Sequence, residues 1–196
     1  MAKLEQEPQR IYQLKITLKH TRPPIWRRIQ VPGDFDLLDL HEIIQGSMGW
    51  ENCHLFNFEV RGLRYEDDAE AGDPSIKDAY DTSVSDAFPR KGIKGTYTYD
   101  FGDDWEHEVL VEGVIDPEPG TKYPVCVDGR GSCPPEDCGG VGGYYRLLDI
   151  LKDPTHEEHE YMVEWVGDDW DPETFDCDYV NRRMPSRKAI VKADGR

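Results

Sequence analysis

The sequence contains little that would place the chain in a membrane or in an oxidising compartment. No stretch of its 196 residues approaches the ~20 consecutive apolar residues that a membrane-spanning helix requires. The first residues, Met1 to Glu7, lack the apolar core of a secretory signal. The cysteines number five, and an odd number fits a reducing compartment better than a disulfide framework. These observations predict a cytoplasmic protein without a membrane partner.

Positive charge is scarce in the body of the chain. The formal net charge is −17, yet residues 1–33 and 181–196 are each net +5, so residues 34–180 carry −27. A body of this sign repels phosphate backbones. We therefore expect no nucleic-acid partner, unless one binds through the basic residues in 22–28 and 182–188. Those cations have an alternative role, because they can pair with the many carboxylates of the chain.

Apolar residues are few, at 37%, but their spacing predicts secondary structure. Period-two alternation is typical of half-buried strands, and apolar residues three and four apart are typical of helices. Strands are predicted at 11–18, 25–31, 55–60, 96–101 and 105–115, and helices at 37–48, 144–151 and beyond a Thr155–Glu158 capping box. Because strands precede helices, the predicted class is α+β: a mixed or antiparallel sheet from the first two-thirds, packed with one early helix and the C-terminal helices.

Two long segments show no clear periodicity. Residues 66–91 are acidic and predict a surface excursion with one short helix near Ser83–Phe88, and residues 116–143 are rich in Pro, Gly and Cys. The predicted organisation is a flexible N-terminus at 1–10, a single domain at 11–184 and a flexible basic tail at 185–196.

Four short segments together resemble one family. They are Pro24–Arg28, Leu40–Gln45 with Gly49-Trp50, Tyr99–Trp105 with His107, and Cys133–Gly140. The combination is similar to the plasmid pRiA4b open-reading-frame-three-like family, whose members are also described as passenger proteins of insertion elements, some of them TnpR-like. The resemblance covers about residues 10–184. It implies an α+β fold and a connection with plasmids and mobile elements, but no reaction, and the chain shows no serine or tyrosine recombinase site.

Three cysteines form a candidate zinc site. Cys126, Cys133 and Cys138 lie close in sequence, and His107 or Cys177 would supply the fourth ligand that a tetrahedral zinc requires. The spacing lacks paired C-x-x-C knuckles, so a disulfide and buried unreactive thiols are the alternatives.

An acidic turn offers candidate catalytic residues. Asp103, Asp104, His107 and Glu136 combine carboxylates with an imidazole, which together can transfer protons or hold a divalent ion. With the Cys133–Cys138 loop they would form a metal-dependent hydrolase. The alternative is structural: Asp103 and Asp104 form the turn, and His107 packs beside Trp105 on the return strand.

Several aromatic, basic and rigid residues are candidates for binding a ligand or a partner. They are Trp26, Arg27, Arg28 and Trp105, together with Pro134, Pro135 and Asp137 in a rigid loop. No complete set of nucleophile, base and oxyanion site can be assembled from the sequence. The leading hypothesis is therefore a non-enzymatic interaction module with a protein partner. The metal-dependent hydrolase and a DNA-binding accessory protein using the basic ends are the alternatives, and any small-molecule ligand is unspecified.

Overall fold

The computed structural model describes residues 9–67, 74–167 and 170–185, which form one eight-stranded sheet and five helices. The strands are β1 (Ile11–Leu18), β2 (Ile25–Pro32), β3 (Phe56–Val60), β4 (Leu63–Glu66), β5 (Ile76–Asp78), β6 (Lys94–Tyr99), β7 (Trp105–Ile115) and β8 (Val125–Arg130). The helices are α1 (Leu37–Met48), α2 (Val84–Ala87), α3 (Gly140–Lys152), α4 (His159–Val166) and α5 (Cys177–Arg183). The predicted α+β class is confirmed.

The sheet is mixed and runs in the order β5-β4-β3-β6-β7-β1-β2-β8. Every neighbouring pair is antiparallel except β4 and β5. The predicted 105–115 strand pairs with β1 on one side and with β6 on the other, so the β6–β7 hairpin lies at the centre. The turn of that hairpin is therefore fixed at one end of the sheet.

Alternation along the strands gives the sheet one apolar and one polar face. Tyr12, Leu14, Ile16 and Leu18 of β1 are buried in the main core with the apolar side of α1. The opposite face carries ion pairs between strands, including Arg28 with Glu112 and Lys94 with Glu108. The sheet thus exposes a solvated face, which is usual for antiparallel sheets.

The sequence at both ends of α1 explains where that helix begins and ends. Asp36 accepts a hydrogen bond from the Asp39 backbone N–H, and the Asp39 carboxylate accepts one from the Asp36 N–H. This reciprocal capping satisfies two N–H groups that the helix itself cannot pair. Gly49, with φ of 99°, ends the helix in the left-handed region.

Two elements had no counterpart in the predicted secondary structure, and one predicted cap was wrong. Residues 116–143 contain β8, an edge strand that pairs with β2 although Asp128 and Gly129 interrupt its apolar pattern. Thr155 does not cap a helix: its hydroxyl donates to the Asp153 carboxylate, and α4 begins at His159 without a side-chain cap. Helix α5 is capped by Asp176, and the sequence of the helix is too polar to show helical periodicity.

Little of the predicted flexible ends falls within the described residues. From 1–10 only Gln9 and Arg10 are described, and from 185–196 only Pro185. Among the described residues, no helix combines the length and the apolar character needed to cross a membrane.

Candidate functional site

Three loops meet at one end of the sheet. They are the segment 49–55 after α1, the turn 100–104 between β6 and β7, and the loop 131–139 before α3. The Trp50 indole N–H donates to the Pro134 carbonyl at 3.0 Å, and the Glu51 backbone N–H donates to Glu136 Oε1 at 2.7 Å. The Gly139 N–H donates to Asp103 Oδ2 at 3.1 Å. The three segments, which are separate in sequence, therefore form one surface.

Left-handed backbone positions allow these loops to approach each other. Asp100, Asp104 and Asp137 have φ values of 53°, 55° and 55°, a region that short polar residues tolerate better than most. Gly140 has φ of 66°, and a side chain there would overlap the Asp103 carbonyl oxygen. The glycine thus permits direct contact between the turn and the start of α3.

Beneath the loops lies a buried hydrogen-bond network. The Tyr97 hydroxyl contacts His41 Nδ1 at 2.8 Å and accepts from the Gln45 amide, while Asn52 Oδ1 lies 2.6 Å from His41 Nε2. Burial lowers the pKa of His41 to about 4, which favours a neutral ring at physiological pH. Burial also raises the pKa of Tyr99, with the Glu136 carboxylate adding to the effect. These polar groups hold the loop base in position.

A histidine and two carboxylates converge above this network. His54 Nε2 lies 3.0 Å from Asp137 Oδ1 and 3.7 Å from Asp100 Oδ2. Asp100 is buried, whereas Asp137 is exposed. In the part of the chain that the structure describes, this is the one group of three such residues whose ligand atoms all lie within 4.8 Å of one another.

A groove of about 550 Å³ lies on the other side of the same loop, between α1 and α5. We call it the α1–α5 groove. Its walls include the following aromatic and proline side chains: Trp50, Pro134, Pro135, Trp170, Phe175 and Tyr179. The Tyr179 ring is half exposed at the rim, and the Trp170 indole N–H donates to the Cys133 carbonyl. The groove has the size and the lining of a ligand-binding site.

Two arginines line the α1–α5 groove, and neither has a carboxylate within 4.0 Å among the described residues. Arg27 is buried, and its guanidinium donates only to the carbonyls of Ser47, Trp26 and Arg130. Arg183 donates to the Gly49 carbonyl and to the Tyr179 hydroxyl. Burial lowers the pKa of Arg27, but a guanidinium stays charged at neutral pH.

The two carboxylates that line the groove are already engaged. Glu136 accepts from the Glu51 N–H and the Tyr99 hydroxyl. Asp176 caps α5 by accepting from two backbone N–H groups. Among the described residues, the groove therefore has two cations without acidic partners, and its two carboxylates accept hydrogen bonds from other groups.

The structure does not gather the predicted catalytic residues around one pocket. His107 is fully buried on β7, with Nδ1 3.3 Å from the Tyr97 carbonyl and the Trp50 ring against it. Asp103 bonds to the Gly139 N–H, Asp104 is exposed in the turn, and Glu136 faces Tyr99. The structure does not support the predicted hydrolase site built on His107 with these carboxylates, because the imidazole is buried inside the core.

The predicted zinc ligands also do not converge. Cys126, Cys133, Cys138 and His107 all belong to the described residues, and they do not form a group with ligand atoms within 4.8 Å. Cys126 lies beside Cys177, whose thiol donates to the Cys126 carbonyl, while Cys133 lies near Arg27. Burial raises the pKa of Cys126, Cys133 and Cys138, which favours the thiols over the thiolates that zinc binds. All five cysteines are free.

The partner-binding candidates fall in three places. Arg27, Pro134 and Pro135 line the α1–α5 groove, and Asp137 belongs to the histidine–carboxylate cluster. Trp26 and Arg28 lie on the polar face of the sheet, where Lys15 and Arg28 stack over the Trp26 ring and Arg28 pairs with Glu112 and Asp128. Trp105 is fully buried and cannot contact a partner.

Sequence reasoning missed residues that complete both sites. His54 lies in an aperiodic loop, and only its approach to Asp100 and Asp137 gives it a role. Asp100 and Trp50 lie within the segments that carry the family resemblance, which was the available signal. No feature of the sequence indicated a role for Phe175 and Tyr179, because the segment around them shows no periodicity.

Comparisons with known proteins agree with this architecture. The family described as "Plasmid pRiA4b ORF-3-like protein" matches residues 10–179. The chain is 40% identical over 177 residues to the uncharacterized protein y4hQ of Sinorhizobium fredii, covering 89% of this chain and 90% of that protein. It also resembles the crystal structure of MM3350, a protein of unknown function from Methanosarcina mazei Go1, with a TM-score of 0.79, 40% identity, and coverage of 87% of this chain and 97% of that one. These relatives carry no defined reaction, and the chain belongs to the plasmid pRiA4b ORF-3-like family.

Proposed function

We propose that this protein is a non-enzymatic interaction module whose α1–α5 groove binds a segment of a partner protein that pairs a carboxylate with an aromatic or bulky apolar residue. The observation that carries the proposal is the buried guanidinium of Arg27 in an aromatic groove, without a carboxylate partner among the described residues. Burying a charge without its counter-charge is unfavourable, and an incoming carboxylate relieves that condition.

The size and the lining of the groove support a protein segment as its occupant. About 550 Å³ accommodates one or two side chains, and ring surfaces from Trp50, Trp170 and Tyr179 can cover an apolar anchor. Interfaces of this kind concentrate their binding energy in aromatic residues and arginines. Arg183 at the same groove supplies a second cation.

The cellular setting is part of the proposal. Five free thiols suit a reducing compartment, and we place the module in the cytoplasm. The family description refers to a plasmid, and we propose that the module serves as an accessory protein of mobile elements. Its partner is then a protein encoded or recruited by such an element.

Peptide selection against the full chain tests the groove. A random peptide library that presents both internal acidic residues and free C-terminal carboxylates should yield sequences combining a carboxylate with an aromatic or bulky apolar side chain. The selected peptide is then synthesised with its carboxylate intact and with that group replaced by an amide. We expect the amide to bind at least about tenfold more weakly, because hydrogen bonds to a charged group contribute about 1.5–3 kcal/mol.

Variants of the groove complete this experiment. Tyr179→Ala, which removes a rim ring, should weaken binding of the selected peptide about tenfold or more by isothermal titration calorimetry. Tyr161→Ala is the matched control, since Tyr161 is an exposed tyrosine of α4 that does not line the groove. Equal affinities for the acid and amide peptides, or an unchanged affinity of Tyr179→Ala, would contradict the proposal.

A further inference from the structure

We propose that His54, Asp100 and Asp137 form a binding site for a transition-metal dication such as Zn²⁺. Three loops each supply one ligand atom, and the three atoms lie within 4.8 Å of one another. One imidazole nitrogen and two carboxylate oxygens are accepted ligands of zinc, with water filling the remaining position. The inference does not depend on the groove, because it rests on different side chains.

The burial of Asp100 is an independent indication that this site takes a cation. The residue is only 8% exposed, and its Oδ1 accepts the Gly102 N–H at 2.9 Å. Within 9–67, 74–167 and 170–185, no hydrogen bond reaches Oδ2 and no lysine or arginine lies within 4.0 Å of it. That oxygen faces His54 Nε2 at 3.7 Å. A carboxylate with so little exposure to water is unfavourable unless a positive charge compensates it.

The positions of the other two ligands suit a site that opens to solvent. Asp137 is exposed and approaches His54 Nε2 at 3.0 Å, so the same imidazole nitrogen faces both carboxylates. A dication held between these atoms would compensate the charge of both carboxylates. The surrounding acidic residues, Asp103, Asp104 and Glu136, add a negative field that raises the local concentration of cations.

The choice of metal follows from the ligand types. Calcium and magnesium prefer sets of oxygen ligands, whereas imidazole nitrogen favours zinc and its first-row neighbours. The thiol of Cys53 is the neighbour that needs a control, because it is exposed and adjacent to His54 in sequence. Its sulfur lies 3.7 Å from the Glu51 carbonyl, and it is not part of the three-ligand group.

Titration of the full chain with Zn²⁺ tests the site. Protein purified in reducing buffer and stripped of metal with a chelator should bind one Zn²⁺ per chain by isothermal titration calorimetry. Both His54→Gln and Asp137→Asn remove a ligand from a partly exposed position, and each should weaken Zn²⁺ binding at least about tenfold. Bound Zn²⁺ should also raise the thermal unfolding midpoint of the wild type in a concentration-dependent way.

Two control variants make the result specific. His20→Gln alters an exposed imidazole that also lies 3.7 Å from a carboxylate oxygen, that of Glu106, but does not belong to the three-ligand group. Cys53→Ser removes the adjacent thiol. Both should bind Zn²⁺ with the wild-type affinity. The proposal is overturned if the wild type does not bind Zn²⁺, or if binding is retained in His54→Gln and Asp137→Asn or lost in Cys53→Ser.

Discussion

Two buried histidines make the stability of this fold depend on pH. Burial lowers the pKa of His107 to about 3 and that of His41 to about 4. Both values lie below the ordinary pKa of 6.5 of an exposed histidine, so both rings are neutral in the folded state at neutral pH. Unfolding exposes the rings to water, where they take up protons below about pH 6.5. The contribution of each ring to stability is therefore present above pH 6.5 and lost as the pH falls towards the folded-state pKa.

Replacing His107 should reduce the acid sensitivity of the protein. Between pH 7 and pH 5 each buried ring lowers the free energy of unfolding by about 2 kcal/mol, from a folded pKa well below 5 and an unfolded pKa near 6.5. In His107→Leu we expect the loss between these pH values to be smaller by about that amount. Urea unfolding at the two pH values measures it. His20→Gln, which leaves both buried rings in place, should keep the wild-type difference, and an equal loss in His107→Leu and the wild type would show that His107 is not the responsible group.

At the scale of elements, the glycines around the start of α3 hold the loop that borders both sites. A side chain at Gly143 would overlap the carbonyl oxygen of Cys138, whereas one at Gly142 would meet nothing within 4 Å. Both glycines lie in the same helix and neither has a positive φ. They therefore differ in the contact that a methyl group would make and not in backbone conformation.

Substituting these two glycines separates packing from helix propensity. Gly143→Ala should lower the free energy of unfolding by about 1–3 kcal/mol, because the loop must shift to relieve the overlap. Gly142→Ala should leave it unchanged or raise it by up to about 1 kcal/mol, as alanine favours helices. Urea denaturation of the two variants measures the difference. If Gly143→Ala were as stable as Gly142→Ala, close packing of the loop on the helix would be refuted.

The elements also show how far the sequence predicts the structure. The strands of the centre and α1 follow directly from alternation and helical spacing, because one face of each is buried and the other is solvated. Strand β8 and helix α5 do not, because their place in the fold depends on partners distant in sequence: β8 pairs with β2, and the Asn181 side chain of α5 bonds to Cys126 of β8.

The candidate sites were predictable only in part for the same reason. The loop 133–138 and the turn 100–104 were recognisable as candidate segments from the residues they share with the family. The sequence did not reveal that His54 lies beside Asp100, because the two residues meet only when α1 folds against the sheet. Likewise, alternation along β2 places Arg27 on the buried side, but it does not indicate that the described residues bring no carboxylate to its guanidinium, because that depends on elements distant in sequence.

At the scale of the whole molecule, the distribution of charge decides which partners can approach. Residues 34–180 carry −27, and two arginines of the N-terminal segment are already engaged. Arg28 pairs with Glu112 and Asp128, and Arg27 is buried with its N–H groups on backbone carbonyls. The C-terminal residues 182–196 hold six further Lys and Arg residues, and the other cations are spread over the acidic body. Few available cations against a large negative charge disfavour counterion release from DNA.

The full chain should therefore bind generic duplex DNA more weakly in physiological salt than ordinary nonspecific DNA-binding proteins, whose dissociation constants are roughly 1–100 µM. Fluorescence anisotropy of a labelled duplex at increasing protein concentration measures this. At low salt any weak binding should decrease further in a chain truncated after Pro185, because the truncation removes four cations, Arg187, Lys188, Lys192 and Arg196. Micromolar binding in physiological salt, with a steep loss of affinity as salt increases, would contradict this prediction and would favour the basic ends as a DNA-binding surface. A protein segment with a single carboxylate meets a smaller barrier than a polyanion, since it needs to approach only the α1–α5 groove, where Arg27 and Arg183 lie without acidic partners among the described residues.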